Sequence, residues 1–247
     1  MRILHYIFKL IIIIILFVGV ILAIITYREY IKIKPDIENG CIEKSVEKLR
    51  EKKHYTKLED VDKKYIEALI AAEDHRFYDH GPVDIKAIFR AVKTNIKNKS
   101  VIEGGSSITQ QLAKNLLLNQ KQTFSRKFQE LIYSIELEKK YSKDEIIEMY
   151  YNISYFGSGY YTLYDASMGY FGKPPKELTL AEAAFLAGVP NAPSVYDPRV
   201  NYQKAVQRRN LVLNKMVQYG KTTQEEANKA SEEKLEVLKM KKDEEKE

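Results

Sequence analysis

Residues 10–25 are all apolar apart from one glycine. With its flanks Phe8 and Thr26-Tyr27 the run reaches about 20 residues, a length that spans the hydrocarbon core of a bilayer. A cleavable signal peptide is the alternative. The run is long for such a peptide, however, and no small-x-small cleavage pattern follows it. We therefore predict a retained transmembrane anchor at residues 10–27, preceded by a short N-terminal segment at residues 1–9.

The charges around this run leave its orientation open. Arg2 and Lys9 precede it, and Arg28, Lys32 and Lys34 follow it. Lysine and arginine favour the cytoplasmic side, yet large domains can translocate regardless of flanking charge. The whole chain is basic, with a net charge of +6 and a pI of about 9.0. This balance suits an anionic membrane face, a phosphate-bearing substrate or nucleic acid, and does not choose among them.

The residues after the anchor divide into three parts. Residues 28–55 are polar and charged, with Pro35 and Asn39-Gly40 as helix breakers, and are predicted to form a stalk. Residues 56–220 show helical periodicity and few strand signals, so we expect a mostly α domain. Residues 221–247 are rich in lysine and glutamate, which predicts a charged helical tail. The single cysteine excludes an internal disulfide and a cysteine-based metal cluster.

Capping patterns and apolar spacing locate individual helices in the mostly α part. Residues 142–145 and 179–182 fit the capping box of a helix start. Asp197-Pro198 fits the start of a long helix that ends at Gly220. Apolar residues recur at helical spacing at Ile85, Ile88, Phe89, Val92 and Ile96, and again at Phe124, Phe128, Leu131, Ile132 and Ile135, of which the last four are predicted to face the core.

The first motif with chemical potential begins at Glu73. An apolar helical stretch runs directly into the acidic and aromatic sequence EDHRFYDH at residues 73–80. A carboxylate at the end of a buried helix is partly desolvated, which strengthens it as a general base. The plainer interpretation is a helix end followed by a polar turn at Gly81-Pro82.

The second motif is GGSSITQQLAKN at residues 104–115. Its two glycines allow the backbone to approach a ligand closely, and the helix that follows presents free N–H groups. Polar side chains continue along that helix as Gln110, Gln111 and Lys114, which fits a phosphate or diphosphate site. It is not a nucleotide P-loop, because no Lys-Ser/Thr pair follows the glycines at the required distance. A Gly-Gly turn with a serine cap is the alternative interpretation.

The third motif places Arg126, Lys127 and Glu130 on one helix face, because residues three and four apart are neighbours. This is either a surface ion-pair cluster or a second carboxylate with its cations, facing Glu73 across a cleft. The fourth motif is the pair Arg208-Arg209 on an amphipathic helix. Such arginines usually occupy a solvated face, but they can also orient a carboxylate.

Taken in this order, the motifs resemble the glycosyltransferase domain of family 51, found in monofunctional peptidoglycan transglycosylases and in class A penicillin-binding proteins. The resemblance spans about residues 56–220. Because no penicillin-binding domain is present in this sequence, it resembles the monofunctional kind. The matching sequences are EDHRFYDH from Glu73, GGSSITQQLAKN from Gly104, RKFQE from Arg126, KDEIIEMYYN from Lys143 and RRNLVL from Arg208.

The resemblance implies a fold and a reaction. The expected fold is mostly α: a lysozyme-like helical glycosyltransferase domain with a small membrane-proximal jaw, preceded by one N-terminal transmembrane helix. The expected reaction polymerises lipid II into glycan strands with inversion and releases undecaprenyl diphosphate. It takes place outside the cytoplasmic membrane, so the N-terminus is expected in the cytoplasm.

The resemblance also implies roles for individual residues. Glu73 is the expected general base and Glu130 the second catalytic acid, which holds the diphosphate region or positions Glu73. Lys114, Arg126 and Lys127 would offset the charge of the leaving diphosphate. The other expected substrate-binding residues are Asp74 and Arg76, which would brace the base, together with Phe77, Gly104, Gly105, Ser106, Gln110 and Gln111.

The expected ligands and partners follow from that chemistry. Lipid II, the nascent glycan strand and the cytoplasmic membrane are the expected partners, and a penicillin-binding transpeptidase is a further candidate. Nucleic acid is not expected, since only the net charge favours it. No cofactor is required and no protein metal site is expected, although Mg²⁺ or Mn²⁺ at the diphosphate is compatible with the reaction.

The sequence departs from the family pattern at three places: Gly81-Pro82, Ser107, and Gln122, where Lys121 can substitute for an expected arginine. Two other functions stay open at this point. A membrane-anchored lytic enzyme could use a single glutamate to cleave peptidoglycan, but it has no use for a diphosphate site. A catalytically inactive cell-wall scaffold would not need the charged residues of the motifs.

Overall fold

The computed structural model describes residues 2–100, 104–118 and 123–239, with side chains from residue 5 onward. Its first helix, α1 (Arg2–Glu38), contains the predicted anchor. This helix is the one part of the described chain that is long and apolar enough to cross a membrane, with a mean hydropathy of 3.3 in its most apolar stretch. None of that stretch is buried inside the protein. A core helix of a soluble protein would be covered, so this exposure agrees with the predicted anchor.

Helix α1 continues further than the sequence predicted. Pro35 lies inside it and does not break it, although a proline cannot donate the hydrogen bond to the carbonyl four residues earlier. The helix ends at Glu38, and Asn39 and Gly40 form a turn after it. Gly40 adopts a positive φ of 74°, and its N–H donates to the carbonyl of Ile37. The break was therefore correctly predicted at Asn39-Gly40 and wrongly at Pro35.

The second helix, α2 (Cys41–Arg50), belongs to the folded domain. Its residues Ile42, Val46 and Leu49 are buried in the main hydrophobic core. They follow one another at helical spacing, so they form a single apolar face. Residues 41–50, which the sequence analysis assigned to the stalk, thus pack with the domain instead of linking it to the anchor.

The remaining elements are also helical, and the described residues contain no β-strand. This confirms the predicted mostly α class. Short 3₁₀ turns lie at Leu58–Asp60, Phe77–Asp79, Pro175–Glu177 and Val189–Asn191. The α-helices are α3 (Lys63–Glu73), α4 (Ile85–Asn98), α5 (Ile108–Leu117), α6 (Phe124–Lys140), α7 (Lys143–Tyr151), α8 (Leu163–Phe171), α9 (Leu180–Gly188), α10 (Pro193–Tyr196), α11 (Tyr202–Gln218) and α12 (Gln224–Glu232).

Helix α9 lies at the centre of the domain. Every residue of α9 after Leu180 is buried, because its sequence is almost entirely alanine, leucine and phenylalanine. It packs against α3 and α11, which also contact each other. This arrangement brings Glu73, at the end of α3, next to Arg208 on α11.

The predicted helix starts are mostly confirmed. Ser142 and Thr179 each form a complete capping box with the glutamate three residues later. Helix α11, however, begins at Tyr202 with Asn201 as its cap, not at Asp197-Pro198. The carbonyl of Asp197 accepts hydrogen bonds from the N–H groups of Val200 and Asn201, so residues 197–201 form a separate turn before the helix.

The apolar stripes of α4 and α6 are only partly covered by protein. Helix α4 forms over the predicted residues, but Phe89 is 72% and Ile96 is 73% exposed, and Ala91 is its one buried residue. On α6, Ile132 is buried as predicted, but Ile135 is exposed, as is Phe124 at 89%, which was not assigned to the core. Helical spacing identifies an apolar stripe, but it does not show whether protein covers that stripe.

The C-terminal segment, predicted to be a charged helical tail, is helical over part of its described length. Helix α12 ends at Glu232, and residues 233–239 are not helical. Leu235 is buried in the main core, and the N–H of Leu238 donates to the carbonyl of Tyr170. Residues 240–247 lie outside the described part of the chain.

The burial of α2 predicts a stability effect. Replacing Leu49 with alanine removes a fully packed side chain and should lower the free energy of unfolding by about 2–5 kcal/mol. The exposed neighbour Lys48 is the control, and Lys48→Ala should change that free energy by less than about 0.5 kcal/mol. Denaturant unfolding of the detergent-purified chain measures both. Equal, small effects would show that α2 is peripheral to the domain.

Candidate active site

A polar cavity of about 330 Å³ lies where α3 ends, beside the start of α5 and one face of α11. A second cavity of about 540 Å³ adjoins it and shares Gln111, Lys114 and Pro190 with it. The first cavity is lined by Ala71, Ala72, Glu73, Asp74, His75, Arg90, Gly104, Ser106, Gln111, Lys114, Pro190, Asn191, Arg208, Lys215 and Tyr219.

Glu73 has one carboxylate oxygen held by the protein and one that makes no hydrogen bond. Its Oε2 accepts a hydrogen bond of 2.8 Å from Nε2 of Gln111. The Oε1 of Gln111 in turn accepts one of 3.1 Å from the hydroxyl of Tyr150. The Glu73 Oε1 is buried and has no hydrogen-bond partner. Because an unpartnered buried carboxylate oxygen is costly, its presence in a cavity points to a functional group.

Arg208 is the cation nearest to that oxygen, with its Nη2 3.8 Å from Glu73 Oε1. Its Nε donates to the carbonyl of Gly188 at 2.9 Å, and its guanidinium lies 5.4 Å from the ring centre of Tyr196. A Cβ atom on Gly188 would lie 2.8 Å from the Arg208 side chain, so a glycine is needed for this approach. Of the two adjacent arginines 208 and 209, Arg208 is therefore the one placed to orient a carboxylate, that of Glu73.

Arg209 has a different role. Its guanidinium is buried and donates to the carbonyls of Ser231 and Glu233, so it fastens the C-terminal segment to α11.

The surroundings of Glu73 keep the neighbouring phenols protonated. Burial, and then the charge of Glu73, raises the pKa of Tyr65 and of Tyr150 well above the usual tyrosine value. Tyr150 therefore stays a hydrogen-bond donor to Gln111. The chain of contacts from Tyr150 through Gln111 to Glu73 fixes the orientation of the carboxylate.

The predicted charge cluster on α6 is present. Lys127 Nζ lies 2.8 Å from Glu130 Oε2 and also donates to Ser106 Oγ at 2.8 Å. Arg126 Nε lies 3.1 Å from Glu130 Oε1. Glu130 is buried, and its described contacts are with these two cations. The geometry thus makes Glu130 an anchor for Arg126 and Lys127.

Lys114 lines both cavities, and charged side chains of both signs act on its ammonium. Burial lowers the pKa of Lys114 below the usual lysine value. The carboxylates of Glu130 and Glu73 oppose that shift, whereas Arg126 and Lys127 reinforce it. A poorly solvated ammonium is stabilised more by an anionic ligand than a fully solvated one is.

Asp74 and Arg76 brace the end of α3 through neighbouring helices. Asp74 Oδ1 lies 2.8 Å from Nε2 of His80, and its Oδ2 accepts a 3.2 Å hydrogen bond from the N–H of Ile108 at the start of α5. Arg76 pairs with Asp84, which caps α4 by accepting from the N–H of Ala87. Asp74 lines the cavity, whereas Arg76 does not.

Arg126, Lys127 and Glu130 of α6 do not line either cavity, and three further predicted ligand residues also lie outside the lining. Phe77 is fully buried, and the Lys143 ammonium lies 4.4 Å from its ring centre. Gln110 completes the capping box of α5 with Ser107, so its side chain satisfies a backbone N–H. Gly105 faces α4, where a Cβ would lie 3.3 Å from Cα of Ile88. By contrast, Gly104, Ser106, Gln111 and Lys114 line the cavity as predicted.

Several cavity residues were not predicted from the sequence. Lys215 donates to the carbonyl of Ala72 at 2.7 Å, and His75 stacks on Tyr219 with 4.0 Å between ring centres. Arg90 of α4 also lines the cavity. Lys215 follows Arg208 by two helical turns, so the shared helix face could have revealed it. No signal near the catalytic motif identifies Arg90 or Tyr219.

One group of described side chains has the proximity of a metal site, namely Asp74, His80 and Asp84. Their ligand atoms are already used within the protein. Asp74 bonds His80 and Ile108, and Asp84 bonds Arg76 and Ala87. A guanidinium on Asp84 competes directly with a cation, so these residues do not fit a metal site.

The structure describes two of the three departures from the family pattern, namely Gly81-Pro82 and Ser107. The carbonyl of Pro82 accepts a 2.7 Å hydrogen bond from Oγ of Ser107, which ties the altered turn to the start of α5. Lys121 and Gln122 lie outside the described residues.

The contacts of His80 predict a pH-dependent stability. Burial lowers the pKa of His80, but its contacts with the Asp74 carboxylate and the Gly81 carbonyl more than offset this and raise the pKa above its usual value. Both ring nitrogens face acceptors, which favours the doubly protonated imidazolium. The stabilisation should be complete below about pH 6.5, the usual histidine pKa, and be lost as pH rises through the folded pKa.

The measurement compares unfolding free energies of the wild type and His80→Gln from acidic to alkaline pH. The stability difference should be largest in acid and shrink with rising pH. A difference that grows with pH would show that His80 is held neutral.

Residues 41–217 match the family model described as Transglycosylase. Penicillin-binding protein 1A of Neisseria flavescens is 43% identical over 185 residues, which are 75% of this chain and 23% of that protein. Penicillin-binding protein 1F of Bacillus subtilis is 46% identical over 170 residues, which are 69% of this chain and 24% of that protein. A crystal structure of penicillin-binding protein 1A from Haemophilus influenzae covers 76% of this chain and 18% of its own at 24% identity, with a TM-score of 0.47.

The match thus spans about a quarter of the length of these two relatives. The family match covers most of this chain and includes the cavity residues on α3, α5 and α11. The chain belongs to the transglycosylase family.

Proposed function

We propose that this protein is a peptidoglycan glycosyltransferase that polymerises lipid II into β-1,4-linked glycan strands with inversion and releases undecaprenyl diphosphate. The observation that carries the proposal is the buried Oε1 of Glu73, which has no hydrogen-bond partner and lies in a cavity lined by cations. Membership of the transglycosylase family supports the same reaction.

In the proposed reaction, Glu73 acts as the general base. Its Oε1 takes the proton from the 4-hydroxyl of an incoming lipid II. The hydroxyl oxygen then forms a bond to the anomeric carbon at the reducing end of the growing chain, and the bond from that carbon to the diphosphate breaks. The diphosphate is already a good leaving group, so the reaction needs no general acid of the kind that an inverting glycosidase requires.

Two side chains prepare Glu73 for this step. Gln111 holds Oε2, which leaves Oε1 directed at the substrate. Arg208 lies 3.8 Å from Oε1, too far for a hydrogen bond that would block this oxygen. A carboxylate with one oxygen free of hydrogen bonds suits proton abstraction.

The negative charge that develops on the leaving diphosphate meets the cations of α5 and α6. Lys114 lines the cavity, and Lys127 contacts the cavity residue Ser106. Arg126 and Lys127 are held by Glu130, which we assign as the residue that positions them. Fixed cations of this kind stabilise a transition state more than a ground state when charge builds up at the leaving group. A divalent ion on the substrate diphosphate is compatible with this scheme.

The membrane arrangement follows from the substrate. Lipid II is anchored in the bilayer by its own lipid, so an enzyme fixed to the same surface meets it at high local concentration. We propose that α1 crosses the cytoplasmic membrane once, with the N-terminus in the cytoplasm and the domain outside. The exposed apolar residues of α4, including Phe89 and Ile96, support its assignment as the membrane-proximal jaw. A penicillin-binding transpeptidase would use the glycan product.

Replacing Glu73 with glutamine tests the proposal. The amide keeps the shape of the side chain but cannot take a proton, so polymerisation of labelled lipid II should fall by about 10²–10⁴-fold. The measurement is glycan formation and undecaprenyl diphosphate release by the detergent-purified chain. A wild type that shortens preformed glycan and ignores lipid II would establish the lytic function. A wild type that binds lipid II without polymerising it would establish the scaffold.

The neighbouring residues Gln110 and Gln111 provide a matched test of the site geometry. Gln111→Ala should reduce the rate by about 10–100-fold, because it releases the Glu73 carboxylate from its fixed orientation. Gln110→Ala removes a helix cap and should cost about 1 kcal/mol of stability while the rate stays within about twofold. The opposite pattern in polymerisation assays would return Gln110 to the substrate-binding set.

A further inference from the structure

We infer that Glu29, on the helix that contains the membrane anchor, is a positioning residue that sets the diphosphate-binding cations of α6. The inference rests on the proposed function, because it concerns the cations assigned there to the leaving diphosphate. Glu29 itself lies outside the cavity lining.

The Glu29 carboxylate is buried between α1 and α6, with 5% of the residue exposed. Its Oε2 accepts two hydrogen bonds from α6, one of 2.5 Å from Ser125 Oγ and one of 2.9 Å from Gln129 Nε2. Its Oε1 accepts from Lys32 Nζ at 2.5 Å, and that lysine side chain is half exposed. All the contacts to α6 therefore converge on a single carboxylate oxygen.

This burial is unusual for the helix that carries it. Most of α1 before Glu29 is exposed, and the acidic Glu38 near its end is also exposed in a surface pair with Lys34. Removing a carboxylate from water costs several kcal/mol unless its hydrogen bonds are satisfied. A buried and fully partnered acid directly after an apolar membrane segment therefore marks a defined contact between anchor and domain.

Helix geometry connects this contact to the active site. Ser125 and Gln129 are four residues apart and form one ridge of α6. Arg126 and Glu130 each follow one residue later, which places them about 100° around the helix. Fixing the first ridge against Glu29 fixes the rotation of α6 about its own axis. That rotation determines where the Arg126–Glu130 pair lies.

The same rotation of α6 sets the position of the Lys127 ammonium. Its ammonium bridges Glu130 on α6 and Ser106 at the cavity, with both contacts at 2.8 Å. A small turn of α6 would lengthen one of these contacts and move the cation relative to the cavity. Glu29 thus acts on the diphosphate site through α6, without touching the substrate.

The test measures binding of farnesyl diphosphate, a short prenyl diphosphate, to the full-length chain in detergent by calorimetry. Glu29→Ala should weaken binding about tenfold, the loss expected for one misplaced charged contact of about 1.4 kcal/mol. Glu29→Gln keeps an acceptor oxygen for both Ser125 and Gln129, so it should bind within about threefold of the wild type. Ser125→Ala combined with Gln129→Ala should match Glu29→Ala, and adding Glu29→Ala to that pair should cause little further loss.

Two variants separate positioning from general stability. Ser167→Ala removes a buried hydroxyl that donates to the carbonyl of Lys173 at 2.6 Å, outside both cavities. Glu38→Ala removes an exposed acid from α1. Both should bind farnesyl diphosphate like the wild type, even where Ser167→Ala lowers the melting temperature as much as Glu29→Ala does.

The outcomes are distinct. Equal binding by the wild type and Glu29→Ala would overturn the inference and leave the proposed function standing. Equal weakening by Glu29→Ala and Glu29→Gln would also overturn it, because charge and not hydrogen bonding would then be responsible. The same weakening in Ser167→Ala would reduce the effect to stability. A wild type that binds neither farnesyl diphosphate nor lipid II would overturn the proposed function and the inference together.

Discussion

The close packing of α9 against α3 and α11 is the constraint on which the site depends. Because Gly188 ends α9 without a side chain, Arg208 can lie against its carbonyl and reach toward Glu73. The same packing buries the end of α3, so the Glu73 carboxylate is withdrawn from water while a cavity stays open at its side. A carboxylate, a cation and a glycine from three separate parts of the sequence are thereby held together by an apolar core that takes no part in the chemistry.

Much of this could be predicted from the sequence, because local signals report local structure. The anchor, the capping boxes of α7 and α9 and the ion cluster of α6 depend on residues a few positions apart. What covers a helix face depends instead on distant residues. Spacing alone therefore placed Ile135 of α6 in the core, although the structure leaves it exposed, and it did not reveal that α2 completes the core.

The site residues also differ in whether neighbouring residues in the sequence reveal them. Glu73 was identifiable because an apolar helix leads into it, and Gln111 and Lys114 because they follow a glycine-rich turn. Phe77 and Gln110, predicted from the same motifs, lie outside the cavity lining: Phe77 is buried in the core and Gln110 completes a helix cap. Arg90 reaches the cavity from α4, so its position depends on tertiary packing that no motif encodes. Functional motifs thus mix residues that meet the ligand with residues that shape the backbone around them.

The unbroken course of α1 has a mechanical consequence. From Tyr27 to Glu38 the chain rises as a continuous helix of 11 further residues, roughly 17 Å at 1.5 Å per residue. A flexible linker at this place would let the domain take many positions relative to the anchor. Here the stretch is instead packed against the domain, because Glu29 bonds to α6 and Ile33 is buried in the core. The domain is therefore rigidly joined to α1 almost from the end of the apolar segment, and a tilt of α1 would turn the whole domain with it.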